Sequence, residues 1–91
     1  MTEIKTKDTE EASYLWTLPF VLFEDVECKK RGTSGITVFF RFTFEKEQQE
    51  VNDIRKAYFN RKASVEPKAF SQRQSDVRDI LHSALRQYKN K

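Results

Sequence analysis

One run constrains this chain more than any other: ITVFFRFTF, Ile36 to Phe44. It places Ile36, Val38, Phe40, Phe42 and Phe44 on one face of an extended strand and Thr37, Phe39, Arg41 and Thr43 on the other. A period of two cannot be kept on a helix, and a face of five large apolar side chains must be covered by something. Upstream, FVLFEDVEC, Phe20 to Cys28, reads as a second strand, apolar at consecutive positions in its first half and alternating in its second. The first half is therefore expected to be covered on both sides. The intervening KKRGTSG holds the chain's two glycines, Gly32 and Gly35, where a hairpin loop needs positive φ. The two strands form an antiparallel hairpin.

Helices must supply the cover. In DTEEASYLWTL, Asp8 stands three residues before Glu11 at capping-box spacing, and the acidic first turn suits the positive helix end. Ala12, Leu15 and Trp16 form the buried face of this short helix, which Pro19 ends. A second helix spans EKEQQEVNDIRKAYFN, acidic at its start and basic at its end, with Val51, Ile54 and Tyr58 at helical spacing. Asn60 is placed to cap it in the left-handed conformation. Pro67, preceded by Ser64 or Glu66, opens a third helix with Phe70, Val77, Leu81, Ala84, Leu85 and Tyr88 on one stripe. Arg73 and Gln74 interrupt that stripe where an apolar residue is due.

The expected architecture is a small α+β domain of order α-β-β-α-α over residues 8–91, behind a flexible tail of residues 1–7. At 91 residues there is room for one core. A two-stranded sheet leaves both edges open, so pairing with a second copy is expected to give a homodimer.

Composition excludes several classes. A single cysteine, Cys28, allows no intramolecular disulfide, and no segment approaches the ~20 apolar residues of a membrane span. A cytoplasmic protein is expected. His82 is the only histidine, so a zinc site lacks ligands, and neither a phosphate-binding glycine loop nor a serine nucleophile elbow is present. Glu24, Asp25 and Glu27 are clustered but lack the spacing of a cation loop. No catalytic residue, metal or cofactor is assigned, and no small-molecule substrate is evident. The chain is not expected to be an enzyme.

Charge is uneven. The seventeen bases exceed the fourteen acids by three, and within Arg55 to Arg78 seven bases face two acids. Those seven, Arg55, Lys56, Arg61, Lys62, Lys68, Arg73 and Arg78, are the candidate contacts for nucleic-acid phosphates or an acidic protein partner. The strand Ile36–Phe44 raises the further question of base stacking. Aligned at Arg31 and Gly32, it offers Thr33, Gly35 and Val38 where an RNA-recognition motif needs aromatics. That fold also needs a strand before its first helix and another at its end. The aromatic row is therefore read as core, with Phe39 and Arg41 left on the opposite face as a candidate protein interface.

The segment YFNRKASVEPKAF, Tyr58 to Phe70, together with the ASYL helix and an aromatic strand ending in FTFE, resembles a family of short uncharacterised phage, mobile-element and bacterial proteins. That resemblance implies context rather than mechanism, since the family has no established activity. Two functions are carried forward. The first is a non-enzymatic accessory protein that neutralises phosphates through the basic helical face. The second is an interaction factor, such as a mobile-element inhibitor or adaptor, that docks through its aromatic hairpin.

Overall fold

The structure is a computed structural model that describes residues 1–32, 35–60 and 65–89. Three strands and three helices follow one another as β1 (Thr2–Thr6), α1 (Thr9–Trp16), β2 (Val21–Arg31), β3 (Gly35–Phe44), α2 (Gln48–Phe59) and α3 (Pro67–Lys89). The α+β class and the hairpin stand as expected. The order gains a strand at its start: residues expected to form a loose tail pair with β3 from Thr2↔Phe44 to Thr6↔Phe40. The expected boundary at residue 8 is therefore corrected, and the domain begins with β1.

β1 forms because β-branched residues occupy its inner face. Thr2, Ile4 and Thr6 are buried and Glu3 and Lys5 are exposed. The buried hydroxyls are satisfied: Thr2 Oγ1 donates to the Lys46 carbonyl at 2.8 Å, and Thr6 Oγ1 accepts from the Asp8 N–H at 3.1 Å. Such strands cost little even though only Ile4 is apolar.

The sheet order is β1-β3-β2, and both outer strands run antiparallel to β3. β1 and β2 are thus parallel to each other, joined through α1 and separated by β3, which is a split β-α-β arrangement. β3 carries the centre of the core. Phe40, Phe42 and Phe44 are almost completely buried, with Phe23 edge-on to Phe42 and Trp16 against Phe23.

β2 departs from its expected pattern. The pairing slips between Phe23↔Phe42 and Asp25↔Arg41, so Glu24 is an extra residue in a bulge. Val21 and Phe23 face the core before the bulge; Val26 and Cys28 regain that face after it. Leu22 is 50% exposed, so the first half of β2 is not covered on both sides. The consecutive apolar residues reflect a change of phase rather than double burial.

The helices cover one face of this sheet. Asp8 caps α1 by accepting from Glu10 N–H and Glu11 N–H. Its own N–H goes to Thr6, and Glu11 turns inward, so the reciprocal half of a capping box is not made. Residues 11–15 are all buried, because α1 packs against β1, β2 and α3 and meets α2 through Glu11 and Tyr14. α2 is anchored by fully buried Val51 and by Tyr58, stacked on Tyr14 at 5.0 Å. Asn60 caps it at φ −88°, not in the left-handed region expected. Glu66 accepts from Ala69 N–H at 2.6 Å, and Pro67 opens α3 as its first residue.

Candidate functional site

Of the seven cations expected to form one basic face, five are among the described residues, and two of these, Arg55 and Arg73, are engaged in packing contacts. Arg55 reaches across to α1, where its Nε and Nη2 donate to the two carboxylate oxygens of buried Glu11 at 2.9 and 3.0 Å. The Glu11 side chain is 1% exposed, so this bidentate pair is a tie between α1 and α2. Arg73 stands over Trp16, its guanidinium carbon 4.3 Å from the ring centroid, and pairs with Asp76 at 3.2 Å. That contact explains the interruption in the apolar stripe of α3: the guanidinium covers an aromatic ring where an aliphatic side chain was due. Arg78 lines a groove between α1 and α3 together with Glu10, Ser13 and Gln74. Lys56 and Lys68 are exposed on α2 and α3. Arg61 and Lys62 lie outside the described residues.

The second candidate, Phe39 with Arg41, is on the sheet face that no described helix covers. Arg41 Nη2 lies 3.0 Å from Glu3 and its Nε 3.2 Å from Asp25, although the buried Nε is not aligned for a hydrogen bond. Lys5 donates to Glu27 at 2.8 Å, and Lys29 approaches the same carboxylate at 3.6 Å while standing 5.6 Å from the centre of the Phe39 ring. The hydrogen bond from Lys5 holds the Glu27 carboxyl below its usual range against slight desolvation, and the charges of Lys5 and Lys29 add to it. Three acids and three bases thus neutralise each other across β1, β3 and β2. The clustered Glu24, Asp25 and Glu27 are explained in the same way: two are ion-paired and Glu24 is the bulge.

The strand order revises one step of the RNA-recognition argument. A strand does precede the first helix, and β3 is central, as that fold requires. No strand follows α2 among the described residues, and the outer face of β1 offers Glu3 and Lys5 where a stacking aromatic would be needed. Phe39 is the single aromatic on the outer face of β3. Base stacking across the sheet is not what this face is built for.

A basic region emerges elsewhere. Segments 28–37 and 80–89 contain Lys29, Lys30, Arg31, Arg86 and Lys89 and no Asp or Glu. The fold brings them to the same end of the molecule: Cys28 Sγ is 3.9 Å from the Ala84 carbonyl, and Val26, Cys28, Ala84, Gln87 and Tyr88 line one groove. β2 advances about 6.6 Å in the two residues from Cys28 to Lys30, and α3 about 6 Å in the four from Ala84 to Tyr88. Lys30 and the last turn of α3 therefore stay in step. Gly32, at φ 64°, turns the hairpin just beyond. Sequence inspection places the basic turn before the aromatic strand but cannot pair it with the end of α3, since the two segments are far apart in the chain.

Two tyrosines are perturbed by packing rather than chemistry. Burial raises Tyr14 and Tyr58 above the ordinary phenol range, and Asp8, Glu10 and Glu11 push Tyr58 further in the same direction. His82 stands exposed on α3. Among the described residues no three His, Cys, Asp or Glu side chains are grouped as metal ligands, and no helix is long and apolar enough to cross a membrane. Comparison with protein families, curated proteins and solved structures finds no match.

Proposed function

We propose that the protein is a non-enzymatic binding module that meets the phosphates of a nucleic acid with the basic end formed by the hairpin tip and the last turns of α3. The observation that carries this reading is the juxtaposition of two segments that hold five bases and no acid, of which Lys29 is drawn to a neighbouring carboxylate, that of Glu27. The rest of the chain is differently composed. Six acids there, Glu3, Glu11, Asp25, Glu27, Glu50 and Asp76, are tied to Lys5, Arg41, Lys46, Arg55 and Arg73, and Arg55 and Arg73 of the helical face expected from sequence are used for packing. Neutralising phosphates without reading base edges requires little more than a raised, basic surface on a rigid support. We place this activity in the cytoplasm, where the lone thiol of Cys28 stays reduced.

The test is a titration with labelled oligonucleotides at ~50 and ~200 mM salt. Three or four phosphate contacts predict an affinity loss over that range of about 40- to 150-fold on duplex DNA and about 20- to 50-fold on a single strand. Absence of binding at the lower salt would remove the proposal. A second reading is favoured by one observation, the half-exposed Leu22 on a sheet face that also presents Phe39. There the protein docks a protein partner through the uncovered sheet, and binding resists salt but weakens in Phe39→Ala.

A further inference from the structure

We infer that the groove between β2 and the end of α3 is a seat for one unpaired base, so that the preferred partner is a single-stranded nucleic acid with Tyr88 as the stacking platform. This rests on the phosphate-binding reading above and narrows it. Val26, Cys28 and Ala84 give the groove an apolar floor, Tyr88 supplies a half-buried ring, and Gln87 brings an amide that can both donate and accept. Its volume, about 230 Å³, admits a single nucleobase. A base paired and stacked inside a duplex has no free face to offer Tyr88, so only an unpaired base can occupy the groove.

Charge complementarity selects the occupant. The groove is of mixed polarity, which suits a heterocycle better than an aliphatic side chain, and exposed cations follow its lining on both elements: Lys30 two residues beyond Cys28 on β2 and Arg86 two residues beyond Ala84 on α3. Arg31 and Lys89 belong to the same segments, while Lys29 is drawn to Glu27 on the outer sheet face. A single strand presents an apolar ring and a phosphate within one nucleotide, and this is the pairing that Tyr88 and Lys30 offer. Stacking on an aromatic side chain tolerates any base, so the site requires no sequence preference.

The experiment compares full-length wild type with Tyr88→Ala, Tyr88→Leu, Tyr88→Phe and Lys30→Glu. Oligo-dT, a duplex of equal length and poly-glutamate are the probes, at ~50 mM salt. Circular dichroism establishes that each variant is folded. Wild type should bind the single strand at least tenfold more tightly than the duplex. Tyr88→Ala and Tyr88→Leu should each lose about tenfold on the single strand and little on the duplex, while Tyr88→Phe retains affinity. Lys30→Glu should weaken both. A 2-aminopurine base in the strand should be quenched by wild type and Tyr88→Phe but not by Tyr88→Leu.

Equal affinity for single strand and duplex, or an unchanged Tyr88→Leu, overturns the base seat while leaving phosphate binding intact. Failure to bind either oligonucleotide overturns the phosphate reading itself. Binding to poly-glutamate alone would assign the basic end to an acidic protein and overturn both.

Discussion

Arg55 illustrates how a residue's type can misdirect a reading that ignores its partner. In sequence it is one of seven cations within a basic stretch; in the fold it is the counter-ion of a carboxylate that water hardly reaches. Burying Glu11 alone would be costly, and the bidentate guanidinium offsets that cost by satisfying both oxygens. Removing one partner is therefore worse than removing both. Arg55→Ala should destabilise the domain by about 3 kcal/mol, whereas the combined Glu11→Leu and Arg55→Met replacement should cost less than about 1 kcal/mol. Urea denaturation of the two variants checks this, and near-equal losses would show that the pair has no such role. Nothing in the sequence marks these residues as a pair, since they are separated by 44 positions and each has a more obvious local assignment. Asp8 and Glu11 have capping-box spacing, and Arg55 lies beside Lys56. Arg73 was partly legible, because a break in an apolar stripe is visible, but its contact with Trp16 depends on how α1 and α3 cross.

Among the elements, the β2–β3 hairpin was legible and β1 was not, and the difference is physical. β3 alternates buried Val38, Phe40, Phe42 and Phe44 with half-buried Thr37, Phe39, Arg41 and Thr43, of which only Phe39 is apolar, so its period is legible. β1 alternates equally well in burial, but its inner positions are Thr2, Ile4 and Thr6, and threonine hydroxyls conceal the period until their hydrogen-bond partners are known. The bulge at Glu24 was hidden for a related reason: a phase shift and a doubly buried strand both read as consecutive apolar residues. The placement of β1 has a direct consequence. Deleting residues 1–7 would remove buried Ile4 and expose the backbone edge of β3 beside Phe42 and Phe44, as well as the N-terminal support of α1. The truncation should cost about 3 kcal/mol or more and broaden or abolish the cooperative thermal transition followed by circular dichroism. A truncated chain with an unchanged midpoint would mean that these residues are the dispensable tail their composition suggests.

For the whole molecule the relevant quantity is where charge lies, not its sum. Segments 28–37 and 80–89 hold five bases and no acid, so the remaining residues hold twelve bases against fourteen acids and are slightly negative. A field of this kind orients an approaching polyanion toward one end even though the net charge is only +3. The same separation makes the site distinguishable from general basicity. Lys30→Glu with Arg86→Glu and Lys56→Glu with Lys68→Glu each change the formal charge from +3 to −1, and all four side chains are exposed, so neither pair should disturb the core. If affinity followed net charge alone, the two variants would bind equally poorly. Localised contact predicts otherwise: the first pair should lose most of its oligonucleotide affinity and flatten the log–log salt slope by about 1.4 on a single strand, or about 1.8 on duplex DNA, the contribution of two phosphate contacts. The second pair should weaken association through the long-range field but keep its slope, because the number of phosphates released from their counterions is unchanged. The reverse result would return the site to the exposed part of the helical face and leave the basic end as protection for an edge strand and compensation for the α3 dipole.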